Sequence, residues 1–168
     1  MFLRPNNSFN ATVMCRADNP ASLSGALTQA LGFSEMALLH PNQFQVGEVW
    51  IAFKLNDAPI CTEQDGEFNC ICLMDAASCF ILGTTLVSAH ESELSELEVR
   101  RLFKAARAQK NKFPAKLLIP AGEPHTALLS EAQRHGISVA RPRKGELRIF
   151  TSEARQGFRD YLQGGNEA

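Results

Sequence analysis

The spacing at which apolar residues recur changes about halfway along this chain, and this change limits the fold more than any other feature of the sequence. Before it, three segments rich in β-branched and apolar residues follow one another at residues 49–55, 68–74 and 79–88. Turn residues such as Asp65-Gly66 separate the first two. The sequence therefore predicts three consecutive antiparallel strands, of which the first two form a hairpin.

After the third strand, the apolar residues recur at the three- and four-residue spacing of an amphipathic helix. They are Val99, Leu102, Phe103 and Ala106. Ser95 and Glu98 have the spacing of a capping box, and basic residues follow in the last turns. The sequence therefore predicts a first helix that begins next to Ser95 and that Pro114 ends.

Short apolar segments and helical segments then alternate to the end of the chain. The sequence predicts strands at residues 116–119 and 137–140, a helix between Gly122 and Gly136, and a last helix at residues 152–162. Strands that alternate with helices usually lie parallel in one sheet. The predicted order is β-β-β-α-β-α-β-α, which gives an α/β fold with a mixed sheet.

The predicted domain covers residues 46–168, a length that can bury a single core. Residues 1–45 differ from it, because prolines and polar residues interrupt one short helical pattern at residues 23–31. We expect residues 1–45 to form an N-terminal extension or cap that packs on this core.

Three short sequence motifs occur at defined places in this order of elements. They are Trp50 in the first strand, DAASCFILG at residues 75–83, and Pro120-Ala121-Gly122 after the fourth strand. Together with the order of elements, they resemble the RNase H-like superfamily of retroviral integrases and DDE transposases. In those families a Trp shortly precedes the first catalytic Asp, and the fourth strand ends in Asp-x-Gly. The chain is also similar to uncharacterised bacterial domains of that fold. The resemblance covers about residues 46–141 and implies an RNase H-like fold.

The resemblance also implies a metal site built from carboxylates, because two-metal phosphoryl chemistry needs Asp and Glu ligands. This sequence departs from that pattern. Phe53 stands at the position of the first-strand Asp, and Pro120 stands at that of the fourth-strand Asp. Neither Glu153 nor Asp160 of the last helix can be matched to the third ligand. We therefore expect a degenerate site without catalytic residues, metal ligands or a cofactor.

An alternative is a divergent metal-dependent nuclease in which other carboxylates rebuild the site. Asp57, Asp75, Glu98 and Glu123 lie at predicted strand ends or helix starts. A structural role is the simpler interpretation for each, with Asp75 capping a turn and Glu98 completing the capping box. The nuclease alternative requires three carboxylates within metal distance of one another.

A third hypothesis is a small-molecule site at the carboxyl ends of the strands. The candidate pocket residues are Asp75, Gly122, Glu123 and His125. His125 comes at the head of the second helix, where free N–H groups attract anions. Neither a Gly-x-Gly-x-x-Gly fingerprint nor a phosphate loop is present, so the sequence predicts no nucleotide cofactor.

Charge is distributed unevenly along the chain. Residues 1–97 carry 11 acidic and 3 basic side chains, whereas residues 98–148 carry 12 basic and 4 acidic ones. A positive surface of this kind can contact the phosphates of a nucleic acid, but solvated helix faces are the favoured interpretation. The candidate contacts are Arg100, Arg101, Lys104, Arg107, Lys110, Arg141, Arg143 and Lys144.

Five cysteines make an odd number, which is unusual for a disulfide-stabilised secreted domain. Cys61, Cys70 and Cys72 lack the Cys-x-x-Cys spacing and the fourth ligand of a zinc site, so free thiols that pack as small apolar residues are expected. No apolar run is long enough to span a membrane, and residues 1–7 have no secretion signal. The sequence therefore predicts a cytoplasmic protein.

The function predicted from the sequence is that of a non-catalytic RNase H-like domain that acts as a binding or scaffold module. A protein partner or self-association would suit this role, and nucleic acid is a less favoured partner. The divergent nuclease and the small-molecule binding domain stay open as alternatives, because the fold alone does not select among them.

Overall fold

The computed structural model describes residues 38–123 and 125–164. The predicted helix at residues 23–31, and most of the predicted extension, lie outside the described residues. The described part contains a mixed β-sheet and three α-helices. The strands are β1 (Val49–Lys54), β2 (Ile60–Thr62), β3 (Gly66–Asp75), β4 (Ile81–Ser88), β5 (Lys116–Leu118) and β6 (Ser138–Ala140), and the helices are α1 (Glu96–Lys110), α2 (Thr126–Arg134) and α3 (Arg148–Gly164).

Strand β1 lies at the centre of the sheet. It pairs antiparallel with β3 and parallel with β5, and β6 pairs parallel with β5. Strand β4 pairs with the other edge of β3, while the short β2 continues the line of β1 along β3. The long strands thus have the order β4-β3-β1-β5-β6, with β3 antiparallel to the rest. This connectivity confirms the predicted α/β fold and its RNase H-like topology.

The helices cover the two faces of the sheet and make two apolar layers. Helices α1 and α2 pack on one face, where Trp50 and Ala52 of β1 contribute to the core. Helix α3 covers the other face, where Ile51 and Phe53 point. Because successive side chains of a strand point to opposite faces, the apolar sequence of β1 fills both layers.

Helix α1 begins where the capping box predicts. The Ser95 Oγ accepts a hydrogen bond from the Glu98 N–H at 3.3 Å, and the Glu98 carboxylate accepts one from the Ser95 N–H at 3.0 Å. The helix ends at Asn111, whose left-handed φ of 57° suits a C-cap. Both ends are therefore determined by local sequence.

Two elements differ from the sequence prediction. The sequence did not indicate β2, because a three-residue strand has too few positions to show an alternating period. Helix α3 begins at Arg148, four residues before the predicted start, and a 3-10 turn (Lys144–Leu147) leads into it. The earlier start is stabilised by burial of Leu147 and Phe150 against the sheet.

The described end of the predicted extension, residues 38–45, contacts the α3 layer. The Leu39 N–H donates to the carbonyl of Glu146 at 3.0 Å. The Phe44 ring lies 6.3 Å from that of Phe150, measured between ring centroids. These residues are therefore attached to the domain through backbone and apolar contacts.

Asp75 caps the turn between β3 and β4, as predicted. Its side chain is fully buried, and one carboxylate oxygen accepts a hydrogen bond from the Gly47 N–H at 2.7 Å. The other oxygen accepts from the Ser78 N–H at 3.0 Å and from the Ser78 Oγ at 2.6 Å. The carboxylate thereby joins the turn to the segment that precedes β1.

We expect Asp75→Ala to lower the free energy of unfolding by about 1–3 kcal/mol, because the buried Gly47 N–H would lose its acceptor. Urea denaturation measures this change. The matched control is Asp65→Ala in the exposed β2–β3 hairpin, which should change stability by less than about 0.5 kcal/mol. Equal losses in the two variants would contradict a structural role specific to Asp75.

Candidate ligand-binding site

A cavity of about 310 Å³ opens at the carboxyl ends of the parallel strands, and we call it the carboxyl-end cavity. Its floor is formed by Ile71 of β3, Val87 of β4 and Leu94 of the segment that follows β4. All three side chains are buried. Open α/β sheets commonly bind ligands at this end.

Strand β1 contributes a cation to the carboxyl-end cavity. Lys54 is the last residue of β1 and is partly buried. No hydrogen bond or ion pair of its ammonium group occurs among residues 38–123 and 125–164. Lys54 pairs with Ile71 across the strands, so Asn69, two residues away on the same face of β3, is its diagonal neighbour. The Asn69 amide therefore lies beside the lysine at the cavity wall.

The segment between β4 and α1 forms a second, acidic wall. Glu91, Ser92 and Glu93 line the cavity there. One Glu93 carboxylate oxygen accepts a hydrogen bond from the Thr126 Oγ1 at 2.9 Å. This contact fixes the acidic wall against the first residue of α2.

Glu123 and His125 form the third wall, together with Lys144 after β6. The Glu123 carboxylate lies 3.0 Å from the His125 Nε2 and 2.9 Å from the Lys144 Nζ. The hydrogen bond with His125 is the main reason why the pKa of the Glu123 carboxyl falls to about 2, and Lys144 lowers it further against the effect of burial. Glu123 is therefore ionised at neutral pH and already has two partners.

The same hydrogen bond determines the orientation of His125. An ionised carboxylate only accepts hydrogen bonds, so the His125 Nε2 carries a proton and donates a hydrogen bond to Glu123. The side chain is 8% exposed, and its Nδ1 is buried without a hydrogen-bond partner among the described residues. Such an unpartnered ring nitrogen is uncommon in protein interiors, because leaving it unpaired costs free energy.

The predicted pocket residues are only partly brought together. Glu123 and His125 line the carboxyl-end cavity, and Gly122 lies exposed in the adjoining turn with a φ of 85°. Asp75 does not line this cavity, because it lies at the opposite end of the sheet, paired with Trp50 at the start of β1. The reason is direction: β3 runs antiparallel to β1, so the end of β3 meets the beginning of β1.

The metal site that the resemblance implies does not fit this cavity. Phe53 is fully buried and points toward α3, so the residue of β1 that faces the cavity is Lys54. Pro120 after β5 offers no side-chain ligand. An ammonium group therefore lies on the strand from which the resembling enzymes direct a carboxylate to the metal.

The other carboxylates considered as metal ligands are dispersed and have structural partners. Asp57 lies 2.7 Å from the Arg159 guanidinium, and Glu98 belongs to the capping box of α1. Asp75 and Glu123 lie at opposite ends of the sheet. In the part of the chain that the structure describes, no three His, Cys, Asp or Glu side chains are grouped closely enough to hold a metal ion.

The candidate nucleic-acid contacts separate into two groups. Helix α1 runs from the carboxyl end of β4 to the amino end of β5, so Arg107 and Lys110 lie at the amino end of the sheet. Arg141 and Lys144 follow β6 at the carboxyl end. The structure therefore does not unite the eight basic residues in one continuous strip.

Several of these basic residues have intramolecular partners. Arg100 lies 3.2 Å from Glu96 and 3.8 Å from Glu131. The Arg107 guanidinium is 5.1 Å from the Phe113 ring centroid, and the Lys110 ammonium is 5.7 Å from that of Phe80. The Arg141 guanidinium donates to the carbonyls of Pro120 and Glu123. Arg101, Lys104 and Arg143 are exposed, and nucleic-acid contact stays a prediction.

The cysteines do not form a metal site in the described chain. Cys70 and Cys72 are buried in the α3 layer, whereas Cys61 is exposed on β2. Burial raises the pKa of the Cys70 thiol to about 12 and raises that of Cys72 well above its usual range. These two thiols pack as apolar residues, as the sequence predicts.

We expect an aromatic disulfide reagent to modify Cys61 in the native protein, and to modify Cys70 and Cys72 at least about 100-fold more slowly, since the thiolate is the reactive form. Peptide mass spectrometry after timed quenching measures each site. Denaturant should make all three react alike. Fast modification of Cys70 under native conditions would contradict the packing described here.

The ion pair of Glu123 predicts a pH dependence of stability. Its pKa is about 2 in the folded protein against an ordinary 4.5, so its stabilising contribution is complete above about pH 4.5 and is lost as the pH falls toward 2. We expect the difference in unfolding free energy between the wild type and Glu123→Gln to shrink over this range. Urea denaturation at a series of pH values measures it, and a constant difference would contradict the ion pair.

None of the helices in the described ranges has the length and apolar character needed to cross a membrane.

Comparison with known proteins gives only structural matches. No protein-family model matches the sequence, and no curated protein matches it. Among solved structures, the HTLV-2 integrase catalytic core domain in complex with magnesium is 10% identical, with 74% of this chain and 79% of that chain covered and a TM-score of 0.48. An integrase intasome of simian T-cell lymphotropic virus, in complex with PP2A regulatory subunit B56 gamma, is 9% identical, with a TM-score of 0.49.

The second match covers 73% of this chain and 44% of the intasome chain, so this chain corresponds to less than half of that protein. Both similarities concern the fold alone. The strand order described above carries the fold assignment.

Proposed function

We propose that this protein is a non-catalytic RNase H-like binding domain whose ligand is a small molecule held in the carboxyl-end cavity. The observation that carries the proposal is the charge arrangement at the ends of β1 and β5. Lys54 faces the cavity, and its ammonium group has no hydrogen-bond or ion-pair partner among the described residues, whereas the Glu123 carboxylate is already occupied by His125 and Lys144.

This arrangement opposes binding of a divalent cation. A metal ion in the cavity would be repelled by Lys54 and attracted by Glu91 and Glu93, but it would find no three His, Cys, Asp or Glu side chains of the described residues grouped closely enough to hold it. It would also have to displace His125 and Lys144 from Glu123. The divergent nuclease is therefore the less favoured alternative.

The form of the cavity favours a small ligand. Its volume of about 310 Å³ is at the lower end of the range of small-molecule sites. Such sites usually combine an apolar floor with a few convergent polar groups, as Ile71, Val87 and Leu94 do here with the charged walls. A scaffold that binds a protein through a flat surface would not need this concavity.

We also propose a cytoplasmic location for the protein and packing of residues 1–45 on the core. Cys61, Cys70 and Cys72 are free thiols, which supports the proposed cytoplasmic location. The contacts of Leu39 and Phe44 support the proposal that residues 1–45 pack on the core.

A thermal-shift panel of chemical classes tests the proposal. It contains amino acids, monocarboxylates, amines, phosphates, nucleotides and Mn²⁺, and at least one organic class should raise the Tm, since a ligand that binds only the folded state stabilises it. Ser92→Trp, which places a large side chain at the cavity wall, should abolish the shift. Ser130→Trp, at an exposed position of α2, is the matched control and should retain the shift.

Two results would overturn the proposal. A Tm unaffected by every organic class would remove the small-molecule function. A rise with Mn²⁺ alone that Glu123→Gln abolishes would favour the nuclease alternative.

A further inference from the structure

We infer that the ligand of the carboxyl-end cavity is a small aliphatic amino acid with a free carboxylate and a free ammonium group. This inference rests on the proposed function and specifies its ligand. Three features of the cavity carry it: a cation without a partner among the described residues, an acidic wall that faces the same space and an aliphatic floor.

The carboxylate of the ligand has a binding position at the sheet. Lys54 is partly buried and its ammonium group makes no contact with an acid in the described chain. The neighbouring Asn69 uses its side-chain oxygen to accept from Asn56 at 3.0 Å, which leaves its amide N–H groups as donors. A cation and an amide on one wall can bind the two oxygens of a carboxylate through charge-assisted hydrogen bonds.

The ammonium group has acceptors on the acidic wall. Glu91 has no ion pair in the described part of the chain, and Glu93 uses one carboxylate oxygen for Thr126 and leaves the other available. A ligand ammonium supplies three donors, so it can contact the Glu91 and Glu93 carboxylates together.

The charges that remain available argue for a ligand with both signs. Lys144 and Glu123 neutralise each other at 2.9 Å, which leaves one cation at Lys54 and two carboxylates at Glu91 and Glu93. A phosphate or nucleotide would bring two or more negative charges toward those carboxylates. A simple amine would leave Lys54 unpaired, and a simple monocarboxylate would leave the acids unpaired.

The aliphatic floor determines the kind of side chain. Ile71, Val87 and Leu94 present branched aliphatic groups and no ring. A branched aliphatic side chain buried against them gains about 25 cal/mol for each Å² of apolar surface removed from water. We therefore use L-leucine as the probe of this site.

Calorimetric titration of the full chain compares L-leucine with its two halves. These are 4-methylpentanoate, which lacks the ammonium group, and 3-methylbutylamine, which lacks the carboxylate. We expect leucine to bind at least about tenfold more tightly than either half, because each half forgoes a charge-assisted contact. Equal binding of leucine and one half would overturn the inference.

Variants assign the contacts to residues. Lys54→Met keeps the aliphatic stem and removes the charge, so it should weaken leucine binding about tenfold and leave 3-methylbutylamine unchanged. Lys116→Met, at the exposed amino end of β5, is the matched control and should bind leucine like the wild type. The double variant Glu91→Gln, Glu93→Gln should weaken leucine and leave 4-methylpentanoate unchanged. All of these positions are at the surface or partly buried, so the fold should persist.

The outcomes separate this inference from the proposed function. If another organic class of the panel raises the Tm and leucine does not bind, the cavity is a ligand site and the amino-acid inference is wrong. If no organic class has an effect, both fail. If leucine binds but Lys54→Met and Lys116→Met behave alike, the inferred carboxylate position is wrong.

Discussion

The structure depends on the pairing of β1 with β3 on one side and β5 on the other. Without it, the antiparallel part and the parallel part of the sheet would have no common strand. Because helices cover both faces, almost every side chain of β1 must be apolar, and Val49 through Phe53 are buried. Only at Lys54 does the strand reach an environment that accepts a charge.

This constraint explains how the candidate site arises. The strand changes from core to cavity within one residue, since Phe53 packs under α3 and Lys54 faces the opposite layer. The charges of the other walls come from segments that follow β4, β5 and β6. Two carboxylates have structural roles at opposite ends of the sheet. Asp75 accepts hydrogen bonds that stabilise the β3–β4 turn, and Glu123 pairs with His125 and Lys144.

The sequence was sufficient for the order of elements, because period and capping are local properties. The Ser95–Glu98 box and the apolar spacing of α1 could be predicted for that reason. The site could be predicted only in part. Glu123 and His125 were found from their place after a strand, but the exclusion of Asp75 follows from strand direction. Lys54 lines the cavity because its side chain points to the α1 and α2 face of the sheet. Strand β1 is buried on both faces, so its sequence has no alternation of polar and apolar residues that could have predicted this direction.

The Glu93–Thr126 hydrogen bond has a consequence for the folding of the domain. It joins residues 33 positions apart, and the other cavity-lining residues come from segments spread along the chain from Lys54 to Lys144. Only a fragment that spans residues 54–144 therefore contains every wall, and separation of the strands that carry these segments would disrupt the site. A ligand that binds only the complete site would therefore raise the free energy of unfolding of the whole domain, by an amount that its concentration and Kd determine.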